Sequence, residues 1–74
     1  MLKTPLPRGA YYLIVTKWNG ETELDYAQEL RTAKMLVQDA DEYIIIGDEG
    51  EVVDDKGNID PDEALELHTR KARG

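Results

Sequence analysis

The sequence contains no cysteine and no serine among its 74 residues. Without cysteine the chain can form neither a disulfide nor a thiolate metal site, and without either residue it lacks the usual nucleophiles of hydrolases. Hydrophobic runs are short as well, because the longest, residues 11–15, falls far below the ~20 residues that a membrane span requires. The N-terminus lacks the apolar segment of a signal peptide. We therefore expect a cytoplasmic protein that is not an enzyme.

Residues that bind metals or phosphates are scarce or badly placed. His68 is the only histidine, and we expect it on the exposed side of a helix. The aspartate-rich turns do not fit a calcium-binding EF-hand, because placing either turn glycine at the sixth position puts an isoleucine or a valine at the first ligand position. No glycine-rich loop precedes a predicted helix, so a phosphate site is not expected either. The sequence predicts no cofactor and no metal site.

Acidic residues dominate the chain and are concentrated in one part of it. The formal net charge is −7, from 16 acidic and 9 basic residues. All of the acids lie in residues 21–67, whereas residues 1–20 and 68–74 contain only basic charges. An acidic body repels nucleic-acid phosphates, which argues against general nucleic-acid binding. It can attract a basic protein surface or serve solubility alone, and both interpretations stay open at this stage.

Composition and turn signals predict the order of the elements. Residues 1–9 contain three residues that disfavour regular structure, two prolines and a glycine, and predict an extended arm. Residues 10–60 predict a ββαββ domain with strands at residues 10–18, 21–26, 43–46 and 51–54. Residues 61–74 predict a weak C-terminal helix or tail. The predicted fold class is α+β, a two-layer antiparallel sheet with one packed helix.

Periodicity and capping residues predict the two helices. Apolar residues recur at three- and four-residue steps across residues 27–40, which is typical of a helix with one buried face. Asp25 is the candidate N-cap of this helix, with Gln28 at the capping-box position. The C-terminal helix has Asp60 as its candidate N-cap and Pro61 at its first position. Its apolar face is small, so we expect weak packing.

The pair Asn19-Gly20 sets the register of the first hairpin. It favours a two-residue type I′ turn, which pairs Trp18 with Glu21 and brings the preceding and following residues together in step. One face of the hairpin is then apolar, and we expect it to pack against the first helix; it carries Tyr11, Leu13, Val15, Leu24 and Tyr26. The other face has an apolar strip beside three carboxylates, formed by Tyr12, Ile14, Thr16 and Trp18 beside Glu21, Glu23 and Asp25.

The second face of the sheet needs a cover, because the run Tyr43-Ile44-Ile45-Ile46 predicts a strand that is buried on both sides. The C-terminal helix is one candidate cover. A second copy of the chain or a different protein is another. An apolar strip with an acidic rim is typical of a protein interface, in which aromatic residues supply affinity and charges steer association.

The layout of residues 9–20, 21–26, 27–40, 42–47 and 51–54 looks like small ββαββ domains. With its size, its acidity and its lack of an active-site motif, the whole chain resembles small phage-encoded host-takeover proteins. Some of those proteins bind host RNA polymerase and redirect transcription, and others block restriction or CRISPR effectors. The resemblance implies a protein-binding regulator in the host cytoplasm, whose partner is a larger host protein such as RNA polymerase.

We expect partner contacts along the arm, the apolar strip and the acidic rim. An extended arm with prolines is a common docking element that becomes ordered on binding, although a flexible terminus is the alternative interpretation. No direct contact with nucleic acid or membrane is expected, and the oligomeric state stays open. The expected partner-binding residues are Leu6, Arg8, Tyr12, Ile14, Trp18, Glu21, Glu23 and Asp25.

Two other functions stay open. The first is an acidic nucleic-acid mimic that blocks a DNA- or RNA-binding defence protein, using Asp39, Asp41 and Glu42 in addition to the acids of the hairpin. These three residues lie at the C-terminal end of a predicted helix, where the helix dipole disfavours negative charge. We therefore expect them to serve solubility or a basic partner rather than stability. The second alternative is a plain dimerising structural module.

Overall fold

The chain folds into a four-stranded antiparallel sheet with a helix on each face. The computed structural model describes residues 2–73. Its elements are β1 (Tyr12–Trp18), β2 (Glu21–Ala27), α1 (Leu30–Leu36), β3 (Glu42–Gly47), β4 (Val52–Lys56) and α2 (Pro61–Arg73). The strand order in the sheet is β2-β1-β3-β4. This arrangement confirms the α+β class and the order of the elements.

The hairpin between β1 and β2 has the predicted register. Asn19 and Gly20 have φ angles of 52° and 85°, and positive φ at both central residues is what a type I′ turn requires. Trp18 pairs with Glu21, and the pairing continues without a shift to Tyr12 and Ala27. The local chemistry of two turn residues therefore fixes which side chains of the hairpin share a face.

The handedness of one connection decides which face α1 covers. β2 and β3 both run antiparallel to β1 and flank it, so they are parallel to each other. The segment β2-α1-β3 is therefore a parallel crossover, and such crossovers are right-handed in nearly all proteins. With this hairpin register, a right-handed crossover puts α1 over the face of Ile14. Our expectation that α1 packs on the face of Leu13 and Val15 is wrong for this reason.

Each face of the sheet has its own apolar cluster. On the α1 side, Ile14 and Ile45 pack with Ala33 and Val37 of the helix region. The cluster on the opposite side, which we call the α2-side cluster, contains four fully buried strand residues together with Ile59 and Ala64. The strand residues of that second cluster are Leu13, Val15, Ile44 and Ile46. The isoleucine run of β3 is thus buried on both sides, as its lack of alternation predicts.

α1 is shorter than the periodicity predicts. Ala27 belongs to β2, where it pairs with Tyr12 and is buried, so the helix begins three residues later. Glu29 is the N-cap and forms no side-chain capping bond. Asp25 is therefore not the N-cap, because it pairs with Ile14 within the hairpin. Sheet pairing outweighs the helical period at these positions.

α2 begins at the predicted residue and is better packed than the sequence predicts. Its N-terminus has the predicted cap, because Asp60 Oδ1 accepts the main-chain N–H of Asp62 at 2.9 Å and Pro61 is the first helical residue. Ala64 and His68 are buried on its inner face. Basic residues occupy its last turn, where they complement the helix dipole. Together with Leu6 of the arm, the helix covers the apolar face on which we expected α1 to pack.

Leu13→Ala tests the face that α2 covers. Leu13 is fully buried, and truncating a buried leucine to alanine costs about 2–5 kcal/mol. Since a core of this size supplies only about 3–5 kcal/mol of net stability, we expect the variant to be largely unfolded at 25 °C. Urea denaturation followed by circular dichroism measures this. Leu36→Ala is the matched control, because Leu36 is 38% exposed; equal losses in the two variants would contradict the described core.

Candidate protein-binding site

β2 forms one free edge of the sheet, and three carboxylates lie along it. Glu21, Glu23 and Asp25 occupy alternate positions, and all three side chains are exposed. Because successive strand residues point to opposite faces, the three lie together on the α1 side of the sheet. We call these three side chains and the outer main chain of β2 the acidic edge. The structure brings these three residues together as the hairpin register predicts.

Trp18 lies at the tip of the hairpin, directly opposite Glu21. Its side chain is half-buried, and its Nε1–H donates to Thr16 Oγ1 at 2.7 Å. Thr16 is only 5% exposed, so this bond satisfies a buried hydroxyl group. Trp18 therefore offers a partly exposed apolar surface whose orientation is set by a hydrogen bond, next to the acidic edge.

Two acids where the loop after α1 meets β3, Asp41 and Glu42, stabilise turns. Asp41 Oδ2 accepts the N–H of Asn19 at 2.8 Å, and the N–H of Asp41 donates to Lys17 C=O at 3.0 Å. Glu42 Oε1 accepts the N–H of Asn58 at 2.7 Å, in the turn after β4. Our expectation that stability does not explain these two acids is wrong, because each holds a turn amide of a distant segment.

The arm packs against α2. Leu6 is half-buried against the α2-side cluster, and Thr4 Oγ1 lies 3.1 Å from Thr69 Oγ1. Arg8 is exposed. The side chain of Leu6 is therefore used within the chain itself, whereas Arg8 remains at the surface.

His68 of α2 connects the arm to β2 through hydrogen bonds of its ring. Its side chain is 1% exposed, and its Nε2 lies 2.9 Å from Thr4 C=O and 3.2 Å from Pro5 C=O. Carbonyl oxygens only accept hydrogen bonds, so Nε2 carries a proton and donates to them. In the neutral ring Nδ1 is then an acceptor, and Tyr26 O–H donates to it at 2.8 Å. The expectation of an exposed His68 is wrong, because its ring joins α2, β2 and the arm.

Sequence reasoning missed the contact between Tyr26 and His68 because these residues are 42 positions apart in the chain. One signal was available: His68 follows Ala64 by four residues and so shares the inner face of α2. The rings of Tyr26 and His68 meet edge to face, with centroids 5.5 Å apart, and Lys71 Nζ lies 5.1 Å from the centroid of the Tyr26 ring. Burial raises the pKa of Tyr26. The arrangement joins two elements and is structural in character.

A groove of about 440 Å³ runs between the arm, the β3–β4 turn and α2. His68 lies at its wall, but hydrogen bonds occupy both ring nitrogens. Both ring nitrogens therefore contact groups of the protein itself, Tyr26 on one side and the arm on the other. Within residues 2–73, no group of three or more histidine, aspartate or glutamate side chains could hold a metal ion. No catalytic arrangement is assigned to the groove.

A smaller hollow of about 290 Å³ lies where the C-terminal end of α1 meets β3 and β4. Tyr43 O–H donates to Asp54 Oδ2 at 3.0 Å there. That hydrogen bond raises the pKa of Tyr43, and burial and the negative charges of Asp54 and Asp55 raise it further. Lys34 and Lys56 also line the hollow. The mixture of charges on its wall favours no single ligand.

The structure divides the residues that we expected to contact a partner. Ile14 is fully buried beneath α1, and Tyr12 is half-buried beside it. Most of the predicted apolar strip is thus an internal surface. The residues of that set that remain at the surface on one side of the molecule are Trp18, Glu21, Glu23 and Asp25.

Tyr26→Phe tests the role of the buried histidine. The substitution removes the O–H that donates to His68 Nδ1 and leaves a buried acceptor without its partner. We expect the free energy of unfolding to fall by about 1–3 kcal/mol, measured by urea denaturation. Tyr11→Phe is the matched control, because Tyr11 is 52% exposed and should change stability by less than about 0.5 kcal/mol. If Tyr26→Phe were as stable as its control, the assigned role would be wrong.

The Tyr43–Asp54 hydrogen bond predicts a pH dependence. Tyr43 has a pKa above its usual value of 10.0, so the folded protein keeps a proton that the unfolded chain loses. This contribution to stability is therefore fully present below pH ~10 and is lost as the pH rises through the pKa of the folded state. Asp54→Asn should lower the pKa of Tyr43 more than Asp55→Asn does, because only Asp54 accepts the bond. Titration of the Tyr43 ring by NMR measures both, and equal effects would contradict this assignment.

No helix within residues 2–73 is both long and apolar enough to cross a membrane. Comparison of the chain with protein-family models, with curated proteins and with solved structures finds no match.

Proposed function

We propose that this protein is a non-enzymatic binding module that attaches to a basic surface of a larger protein through the acidic edge and Trp18. The observation that carries the proposal is the set of three exposed carboxylates at alternate positions of an uncovered edge strand. A half-buried tryptophan lies next to them. Aromatic residues commonly supply the affinity of protein interfaces, and surrounding charges steer the encounter.

Both faces of the sheet are covered by helices, so the buried side chains of its two apolar clusters are not available to a partner. α1 and α2 bury the two faces with clusters that leave Leu13, Ile14, Ile44 and Ile45 inaccessible. A partner of this protein must therefore contact a sheet edge, a turn or the outer side of a helix. Of these surfaces, the acidic edge combines a regular array of like charges with an aromatic side chain.

The charges of the acidic edge are not neutralised by ion pairs within the described residues. Within residues 2–73 the ion pairs are Glu29–Arg31 at 3.0 Å and Glu66–Arg70 at 2.6 Å. Neither ion pair includes an acid of β2. Like charges along one strand repel one another, and a complementary basic surface would relieve that repulsion. The field of the acidic body would also accelerate association with such a surface, most strongly at low salt.

The resemblance to phage host-takeover proteins supports a particular kind of partner. It suggests a large host assembly with a basic surface, such as RNA polymerase or a defence complex, with the protein acting as its regulator or inhibitor. The acidic edge would then occupy part of that surface. The charge of the site supports either assembly.

The nucleic-acid mimic remains a second candidate. It would use Asp39, Asp41 and Glu42 in addition to the three acids of the acidic edge. Asp41 and Glu42, which it would use, hold turn amides at Asn19 and Asn58. Their arrangement therefore has an explanation in stability. A mimic would depend on the whole array of acids and would not require Trp18, which provides a test.

Neutralising the acidic edge tests the proposal. The triple variant Glu21→Gln, Glu23→Gln, Asp25→Asn removes three charges and keeps an acceptor at position 25. We expect the affinity for a partner captured from bacterial lysate and identified by mass spectrometry to fall by about 1–2 kcal/mol, or about five- to thirtyfold. The affinity is measured by calorimetry with the purified partner.

The matched control is the triple variant Asp48→Asn, Asp55→Asn, Glu63→Gln, which removes the same charge from exposed positions elsewhere. It should lose clearly less affinity than the β2 variant, because it weakens only the long-range field of the acidic body. Equal losses in the two triple variants would show that net charge alone matters and would refute a site at β2. Trp18→Ala should weaken binding as well; full binding by that variant would favour the mimic.

A further inference from the structure

The outer main chain of β2 carries hydrogen-bonding groups that no other strand uses. In a two-residue hairpin the residues that flank the turn, here Trp18 and Glu21, exchange both of their main-chain hydrogen bonds, and bonded pairs alternate from there along antiparallel strands. The main chain of the three acidic residues therefore faces β1. The residues whose N–H and C=O groups face the free edge are Thr22, Leu24 and Tyr26.

One of these outward amides is already occupied. Asp25 Oδ1 accepts the N–H of Tyr26 at 2.8 Å. The amides of Thr22 and Leu24 remain open, because β2 is the last strand of the sheet on this side and the described residues place no further strand beside it. The open stretch runs over residues 21–25, between the turn at one end and the side chain of Asp25 at the other.

The opposite edge of the sheet is less suited to pairing. The register between β3 and β4 is irregular at Ile45 and Ile46, and Asp54 Oδ1 accepts the outward N–H of Asp55 at 2.9 Å. An irregular register twists an edge strand and disfavours the addition of another strand. The two edges therefore differ, and β2 offers the longer regular stretch.

We propose that the acidic edge binds an extended basic segment of the partner as a fifth, antiparallel strand. This inference rests on the proposed function and specifies how that site recognises its partner. Thr22 and Leu24 would exchange main-chain hydrogen bonds with the added strand, as in other cases of strand addition. The acids of β2 then occupy the non-hydrogen-bonded pairs, in which opposite Cα atoms approach to about 4.5 Å. Cross-strand pairs of opposite charge form best in such positions.

The geometry defines the sequence pattern of the segment. Lysine or arginine at every second position would face Glu21, Glu23 and Asp25 on the α1 side of the sheet. The residue opposite Leu24 points to the other side, where Leu24 is half-buried against the α2-side cluster, so an apolar residue fits there. The expected pattern is basic, apolar, basic, any residue, basic.

A second copy of the chain fits the edge poorly. Two β2 strands paired with each other would place carboxylates opposite carboxylates, and like charges directly opposite destabilise a strand pair. The same alternation of charge that repels another β2 attracts a basic strand. The acidic edge thus selects among strands as well as binding one.

Two peptides and two variants test the inference. The first peptide alternates lysine and valine; the second has the same composition with all its lysines in one block. We expect the alternating peptide to bind more tightly, with NMR shifts centred on the amides of Thr22 and Leu24. Thr22→Pro should weaken its binding at least about tenfold, because it removes an outward N–H and obstructs the added strand. Thr22→Val, which keeps that N–H, should bind as the unchanged protein does.

Thr22→Pro leaves the pairing with β1 intact, because its N–H faces outward, and proline is tolerated in edge strands at such positions. A peptide methylated on the main-chain nitrogens that face β2 makes the same test on the unchanged protein, and it should lose binding to the same extent. Equal binding of the alternating and block peptides, or of the methylated and unmethylated ones, would overturn strand addition. If neutralising the acidic edge still weakened partner binding in that case, the proposed function would stand without this inference.

Discussion

The type I′ turn at Asn19-Gly20 is the constraint on which the rest of the structure depends. It sets the register of the hairpin, and a shift by one residue would move every side chain of both strands to the opposite face. The register places three acids on one side of β2 and turns the main chain of Thr22 and Leu24 outward. Asp41 reinforces the turn by accepting the N–H of Asn19 at 2.8 Å. The acidic edge is therefore a direct result of turn chemistry.

The turn also determines how the helices divide the sheet between them. Once the register is fixed, the right-handed crossover from β2 to β3 leaves only one face for α1. The other face is closed by α2 together with the arm, and the buried His68 joins these two segments to Tyr26 through hydrogen bonds at both ring nitrogens. A small core is thus completed on both sides of the sheet, and the side chains of its two apolar clusters are buried.

The parts of this structure that sequence reasoning predicts are those determined locally. The turn, the alternation of β2 and the cap at Asp60 each depend on a few neighbouring residues, and they predict the exposure of Glu21, Glu23 and Asp25. The choice of face for α1 required the handedness of a connection, and the start of that helix depended on competition with sheet pairing at Ala27. Ile14 is buried because α1 packs on its face of the sheet. The contacts of His68 join segments that are far apart in the chain. Only its position on the inner face of α2 could therefore be predicted from the sequence.

The proposed binding surface is an edge of the sheet rather than a pocket or a face. The most direct test of this proposal is amide hydrogen exchange of Thr22 and Leu24 in the free protein and in its complex with the captured partner. We predict that both amides exchange rapidly in the free protein, because they face solvent, and become strongly protected in the complex. Unchanged exchange at both amides, with new protection confined to α2 or β4, would contradict the account.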